Sequence, residues 1–259
     1  MKKDGKRSWT VLLTTLVSLA GIYVISAGLT PLKPNDELAS ENSLNLTSPP
    51  GFIFSIWGII YLGFLVYAVF QALPRQRENP RFRRTGYWAA FSIFLNLLWI
   101  VLVGLEVSIV AYFLQWFMLL LAIVILVLWK GGTPPERGFE RWLRVPFAFY
   151  AGWLTVAMIP FTTSLLQLAG WQGQPFSPVF WAVVMYLAAV VIGYVAYRRL
   201  NEPWYLFPIS WALFGIAIRF SGTVSVVSGA LSLLVFLLML AHVGKVVFTP
   251  KSSYSGTSA

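Results

Sequence analysis

The stretch Ser108-Ile109-Val110-Ala111-Tyr112-Phe113-Leu114-Gln115-Trp116-Phe117-Met118-Leu119-Leu120-Leu121-Ala122-Ile123-Val124-Ile125-Leu126-Val127-Leu128-Trp129 contains no charged residue. Wound as an α-helix at about 1.5 Å per residue, it is long enough to cross the ~30 Å hydrocarbon layer of a bilayer. Seven further stretches read the same way: 9–30, 51–73, 86–104, 145–168, 178–197, 204–219 and 222–247. Gly104 to Val107 is all that separates the third stretch from the fourth, which predicts a tight helical hairpin. The seventh is short and carries Pro208, so it is expected to be partly irregular. These readings predict an all-α integral membrane protein with about eight transmembrane helices.

Composition agrees. Of the 259 residues, 58% are apolar and 11% charged, whereas a soluble domain carries about 25% charged residues. The net charge of +10 would suggest nucleic acid in a soluble chain, but here it sorts by loop. With the N-terminus in the cytoplasm, the inner side receives Lys2, Lys3, Lys6 and Arg7, then Arg75, Arg77, Arg81, Arg83 and Arg84. It also receives Lys130, Arg137, Arg141, Arg144, Arg198, Arg199, Lys245 and Lys251, leaving Lys33 and Arg219 outside. This asymmetry follows the positive-inside rule. The positive charge is therefore a topology signal, and nucleic acid is not an expected partner. A multi-pass protein of the bacterial plasma membrane, with both termini cytoplasmic, is the expected placement.

The first span could serve as a cleaved signal, but its apolar stretch from Trp9 to Leu29 exceeds the ~7–15 residues of a signal core. It is read as a retained helix. The loop Pro31 to Pro50, with Asp36, Glu37 and Glu41, then lies outside, either as a lid over the bundle or as a solvated connector. Asn45-Leu46-Thr47 fits a glycosylation sequon at near-chance frequency. Glu106 and Arg219 fall on the same outer side and either pair or stand apart. Residues 252–259 read as a disordered polar tail.

The chain has no cysteine, which removes disulfides, thiolate catalysis and cysteine-ligated metals together. No paired carboxylates lie inside the spans, and no His, Asp or Glu group has metal-ligand spacing. His242, near the end of the last span, reads as a packed or interfacial histidine. No catalytic residue is assigned, and no cofactor is demanded by the residues themselves. What the spans carry is aromatic and amide chemistry. Trp9, Trp88, Trp129, Trp171, Trp181 and Trp204 lie near span ends, where indoles anchor at the headgroups. Trp57, Trp99, Trp116, Trp153 and Trp211 lie deeper, where an indole N–H must find a partner or face a cavity. Trp57 and Tyr61 share one helix face, as do Asn96 and Trp99. Aromatic faces plus a buried amide describe a pocket for a flat, largely apolar ligand; helix packing is the rival reading.

Three motifs carry a family resemblance. Pro49-Pro50-Gly51-Phe52-Ile53-Phe54-Ser55-Ile56-Trp57-Gly58-Ile59-Ile60-Tyr61 resembles the opening of the second helix in the TspO/MBR family, the tryptophan-rich sensory proteins related to the mitochondrial translocator (peripheral benzodiazepine receptor) protein. Leu95-Asn96-Leu97-Leu98-Trp99 resembles the third-helix motif, and Tyr150-Ala151-Gly152-Trp153-Leu154-Thr155-Val156-Ala157 the fifth. The resemblance covers residues 9–168, the five helices of that fold. It implies a pocket beneath the first loop that binds porphyrins, sterol-like lipids or synthetic aromatic ligands. The positions it carries over as ligand-binding are Trp57, Tyr61, Asn96, Trp99, Tyr150, Trp153 and Ala157.

The chain also departs from the family pattern. Phe52 replaces a Trp, Ser55-Ile56-Trp57 shortens the usual Gly-Pro-Val-Trp, and Pro160-Phe161 replaces a Leu-Asn pair, so the fifth helix should kink and lose an amide. Val191, Tyr194 and Arg198 make only a weak sterol-type pattern. The motifs leave residues 178–259 without a counterpart. The expected organisation is a TspO-like bundle over 1–170, a three-helix extension over 171–251, and the tail. The expected function is a receptor- or transporter-like protein holding a tetrapyrrole (a bound porphyrin being the one cofactor implied) or a similar planar ligand or sterol-like lipid. Its partners would be the lipid bilayer, that ligand, and a second copy or a larger membrane complex. The alternatives are a structural or assembly subunit of a membrane (pigment) complex and a secondary transporter of a small apolar solute. Light-driven porphyrin breakdown, proposed for relatives, leaves enzymatic activity open.

Overall fold

A computed structural model describes residues 2–32, 45–131 and 138–248, all helix and connection with no strand among them. The disordered tail and most of the Pro31–Pro50 loop expected from sequence lie outside the described residues. The helices are α1 (Lys2–Ser26), α2 (Ile56–Ala72), α3 (Pro80–Gly104), α4 (Ser108–Lys130), α5 (Val145–Leu168), α6 (Pro178–Leu200), α7 (Leu206–Arg219) and α8 (Gly222–Phe248). Seven are long and apolar enough to span a bilayer; α7, at 14 residues, is not.

Helix ends follow local chemistry. The α1 terminus closes with Gly28 at φ 68°, its N–H bonded to the Ile25 carbonyl and the Leu29 N–H to Val24. That is the glycine-terminated double bond which satisfies orphan carbonyls. Asn79 caps α3 by accepting from the Arg81 N–H at 2.9 Å, with Pro80 in the first turn where its missing N–H costs nothing. Ser177 and Pro178 repeat that arrangement on α6. The α3–α4 hairpin turns on Glu106, a non-glycine residue at φ 59°.

Helix α5 is central. It packs against α2, α4, α6 and α7, and its run Phe147–Val156 is buried on every face. Small residues set the closest approaches, as membrane helices require. A Cβ at Gly63 would collide with Pro146, and one at Gly152 with the Tyr205 backbone carbonyl. Helix α7 lies between α5, α6 and α8. Its 14 residues rise only about 21 Å. Short pieces and irregular backbone at membrane depth are tolerated when surrounded by protein rather than lipid. The 3-10 turn Pro203–Tyr205 leads from the α6 end into α7.

Charges gather at one end. Asp4 meets Arg83 at 2.8 and 2.9 Å and Arg7 at 3.1 Å, and Arg7 donates to the Arg77 carbonyl at 2.6 Å. Arg81 pairs with Glu140 at 2.8 Å. Glu202, fully buried, takes Lys130 at 3.0 Å and Arg144 at 2.6 Å. Trp129, read from sequence as a headgroup anchor, is fully buried beneath this layer with Arg81 over its ring. The reason is that α3 begins at Pro80, before the apolar span, so its charged first turn roofs the indole. Trp116 was expected to lie deep but is 43% exposed on the lipid-facing side of α4.

Candidate functional site

The sequence-selected residues converge where α2, α3 and α5 face each other. The four-residue spacing on α2 stacks Trp57 on Tyr61, ring centres 5.3 Å apart and 21° from parallel. From α5, Trp153 meets Trp57 edge-on at 6.2 Å and Tyr150 approaches it at 6.0 Å. From α3, Asn96 is fully buried and its Oδ1 accepts the Tyr61 hydroxyl at 3.0 Å. Trp99 joins at the edge: it and Tyr61 both pack on the small apolar cluster of Ile22, Ile25 and Ile100, and it meets Phe161 at 6.5 Å. Ala157, half-buried, sits one turn beyond Trp153 on α5.

The polar atoms of this cluster are under-used. The Tyr150 hydroxyl lies against Asn96 and Ser92. Yet Tyr150 Oη, Asn96 Nδ2, Ser92 Oγ and Trp99 Nε1 have no partner with hydrogen-bond geometry among the described residues, and neither does Gln115 Nε2 on α4. A buried polar group without a partner costs about 1–3 kcal/mol, and in lipid there is no bulk water to supply one. Helix packing alone gives no reason to keep several together. An internal water or the polar edge of a ligand would satisfy them.

Sequence reading missed part of this cluster. Phe54 lies edge-on to Trp153 at 5.5 Å, Phe64 edge-on to Tyr150 at 5.3 Å, and Ser92 sits four residues before Asn96 on the same face. That spacing was the available signal. The expected loss of an amide in α5 is partly offset from elsewhere. Asn45 donates its Nδ2 to the Pro160 carbonyl at 3.1 Å and to Ser164 Oγ at 3.3 Å. Asn45 is 2% exposed and so engaged that its sequon offers no free amide. The helix continues through Pro160, with Thr162, Thr163 and Ser164 bonding back to the carbonyls four residues before them.

A cavity of about 100 Å³ lies at the far end from the charge layer, between Asn45–Thr47, the end of α5, and the start of α6, with Trp171 and Trp181 in its wall. None of the seven sequence-selected residues lines it. His242 is a packed histidine, its Nδ1 2.8 Å from the Tyr197 hydroxyl.

A family model described as TSPO-like protein matches residues 8–243. The chain belongs to the TSPO-like family. The match is wider than the three motifs, running through α6, α7 and most of α8. No curated protein and no solved structure gives a match. This TSPO-like protein is thus an all-α membrane protein in contact with the bilayer, and no group of three or more His, Asp or Glu able to hold a metal occurs among its described residues.

Proposed function

We propose that this TSPO-like protein is a membrane receptor or carrier for a planar, largely apolar ligand of the tetrapyrrole type, held by Trp57, Tyr61, Asn96, Trp99, Tyr150, Trp153 and Ala157. One observation carries the reading: a buried polar edge at Asn96, Tyr150 and Trp99, whose donors lack partners of hydrogen-bond geometry among the described residues, bracketed by stacked aromatic faces. A tetrapyrrole offers matching chemistry, a flat π face for the indoles and a polar rim for the amide and hydroxyl. The rings touch one another, so a ligand must part them as it enters. That same contact favours a second reading, in which the aromatics only pack the helices of an assembly subunit.

Titration of the purified protein in detergent with protoporphyrin IX separates the two. Saturable quenching of tryptophan emission is expected. Stacking on one aromatic contributes about 0.5–1.5 kcal/mol beyond burial, and losing the buried face adds to it. Trp57→Ala should therefore weaken binding about tenfold to a hundredfold. Trp88→Ala, on an exposed residue, should stay within about twofold. If Trp57→Ala lowers the melting temperature while affinity is unmoved, the packing reading stands and the ligand reading falls.

We further infer that the charge layer faces the cytoplasm, with both termini there, in a bacterial plasma membrane. The absence of cysteine gives a clean background for labelling. Glu78→Cys, Phe139→Cys and Arg199→Cys should react with an impermeant maleimide only after cells are opened. Leu105→Cys, Leu168→Cys and Ser221→Cys should react in intact cells. The Arg199 and Ser221 positions flank α7, so labelling of both from one side would show that this short helix does not cross.

A further inference from the structure

Pro49 and Pro50 have no N–H, so the stretch entering α2 cannot build a backbone ladder of its own. Its carbonyls must find donors elsewhere. The donors come from α6 and α7. Tyr186 on α6 donates its hydroxyl to the Leu46 carbonyl at 2.5 Å. Arg219, at the end of α7, donates Nη1 to the carbonyls of Ser48 at 3.1 Å and Pro49 at 3.0 Å. Trp211, also on α7, donates Nε1 to the Ile53 carbonyl at 2.9 Å, and its ring meets Phe52 edge-on at 6.1 Å. The fit is close as well as polar: a Cβ on Gly215 would overlap the Ile53 side chain. Between these donors and the bonds to α5, much of the stretch is buried, with Asn45 at 2%, Thr47 and Ser48 at 5%, and Ile53 at 0% exposure, while Phe52 stays 52% exposed.

The clasped stretch leads straight into the candidate site. The turn Gly51–Ser55 carries Phe54, which abuts Trp153, and the next turn carries Trp57. We propose that Tyr186, Trp211 and Arg219 form a clasp by which α6 and α7 position the 45–53 stretch, and so set how readily the rings of Phe54 and Trp57 part from Trp153. Its ligand-controlling half rests on the binding reading above; its mechanical half does not. The clasp gives α6 and α7 a task that the five-helix resemblance leaves unassigned. The bonds are to backbone carbonyls, so the residues of the clasped stretch can vary while the donors cannot. Tyr186, Trp211 and Arg219 are positioning residues: they do not touch the proposed ligand.

The test uses the full chain in detergent with Ser48→Cys as a reporter, and Thr85→Cys, buried on α3 away from the candidate site, as a control for global opening. In the background of Arg219→Gln with Trp211→Phe, alkylation at position 48 should accelerate at least about tenfold, as expected when two charge-assisted bonds and one neutral bond are lost. The rate at position 85 should not change. Without the reporter cysteines, the same double variant should release protoporphyrin IX at least about threefold faster, its on-rate rising as well because the rings part on entry as on exit. Should the double variant fail to fold, Tyr186→Phe removes a single hydroxyl and should give the same two changes at a smaller amplitude. Unchanged alkylation at position 48 overturns the clasp. Faster alkylation with an unchanged porphyrin off-rate overturns its control of the site. If the parent protein binds no protoporphyrin at all, the binding reading fails while the alkylation arm still decides the clasp.

Discussion

Glu202→Gln is expected to destabilise the protein by about 3–5 kcal/mol, the effect of removing one partner from a buried ion pair. The carboxylate is fully buried while Lys130 and Arg144 remain 35% and 21% exposed, so the acid is the member that cannot turn to water for compensation. It sits in the α6–α7 connection and receives the last residue of α4 and the residue preceding α5. Lys130 also donates to the Leu200 and Asn201 carbonyls. Neutralising Glu202 leaves two cations around an uncharged amide, and three helices lose a common tie. For a chain of this size the loss corresponds to roughly 6–20 °C in melting temperature. Lys130→Met should cost much less, because that ammonium is partly solvated and the Arg144 pair survives. Equal, small shifts of about 2 °C or less for both variants would mean that water screens the site as it screens a surface pair.

How much of this was legible in the sequence depends on the range of the interaction. The spans were plain because a lipid solvent forbids polar backbone and charge, and α4 shows it by its uncharged run alone. The Lys and Arg distribution placed Arg81, Arg83, Lys130 and Arg144 at one end, but not the acids Asp4, Glu140 and Glu202 that they meet there. The shortness of α7 was legible in the length of the 204–219 span itself. Within the site, Trp57 on Tyr61 is a four-residue helical spacing and could be read directly. The Tyr61–Asn96 bond could not, since it depends on how two helices slide past each other. Trp129 was misjudged for the same reason: hydropathy marks where lipid ends, not where helix ends, and α3 continues below that level to cover the indole. The clasp was illegible altogether. Nothing local in Trp211 or Arg219 says that their partners are the Ile53 and Pro49 carbonyls. Arg219 was placed at the correct end, near the loop it holds, but a pair with Glu106 was the only partner the sequence suggested.

Gly152→Val should prove as damaging as any single change in the apolar interior, though no polar interaction is lost. Gly152 occupies the middle of the α5 run that is buried on every face, opposite the 3-10 turn leading into α7. A Cβ built there meets the Tyr205 carbonyl oxygen and carbon, with Pro208 Cδ at 3.4 Å. The obstacle is backbone, and it is fixed from both sides. The Tyr205 hydroxyl hydrogen-bonds Thr155 one turn further along α5 at 2.5 Å, and the turn begins at Glu202 in the charge layer. No rotamer change can clear the space, so α5 and α7 must separate. Overpacking of this kind typically costs about 1–3 kcal/mol, and more where the backbone must move. The separation would also withdraw Trp153, next to Gly152, from Trp57. Gly152→Val is therefore expected to lose melting temperature and porphyrin affinity together, whereas Gly58→Val, at a position with nothing within 4 Å of its Cβ, should lose neither. Gly152→Ala should show a weaker form of the same double loss. A Gly152→Val protein as stable as the parent would mean that α7 is not seated on α5 at Tyr205, and the route by which α7 reaches the site would go with it.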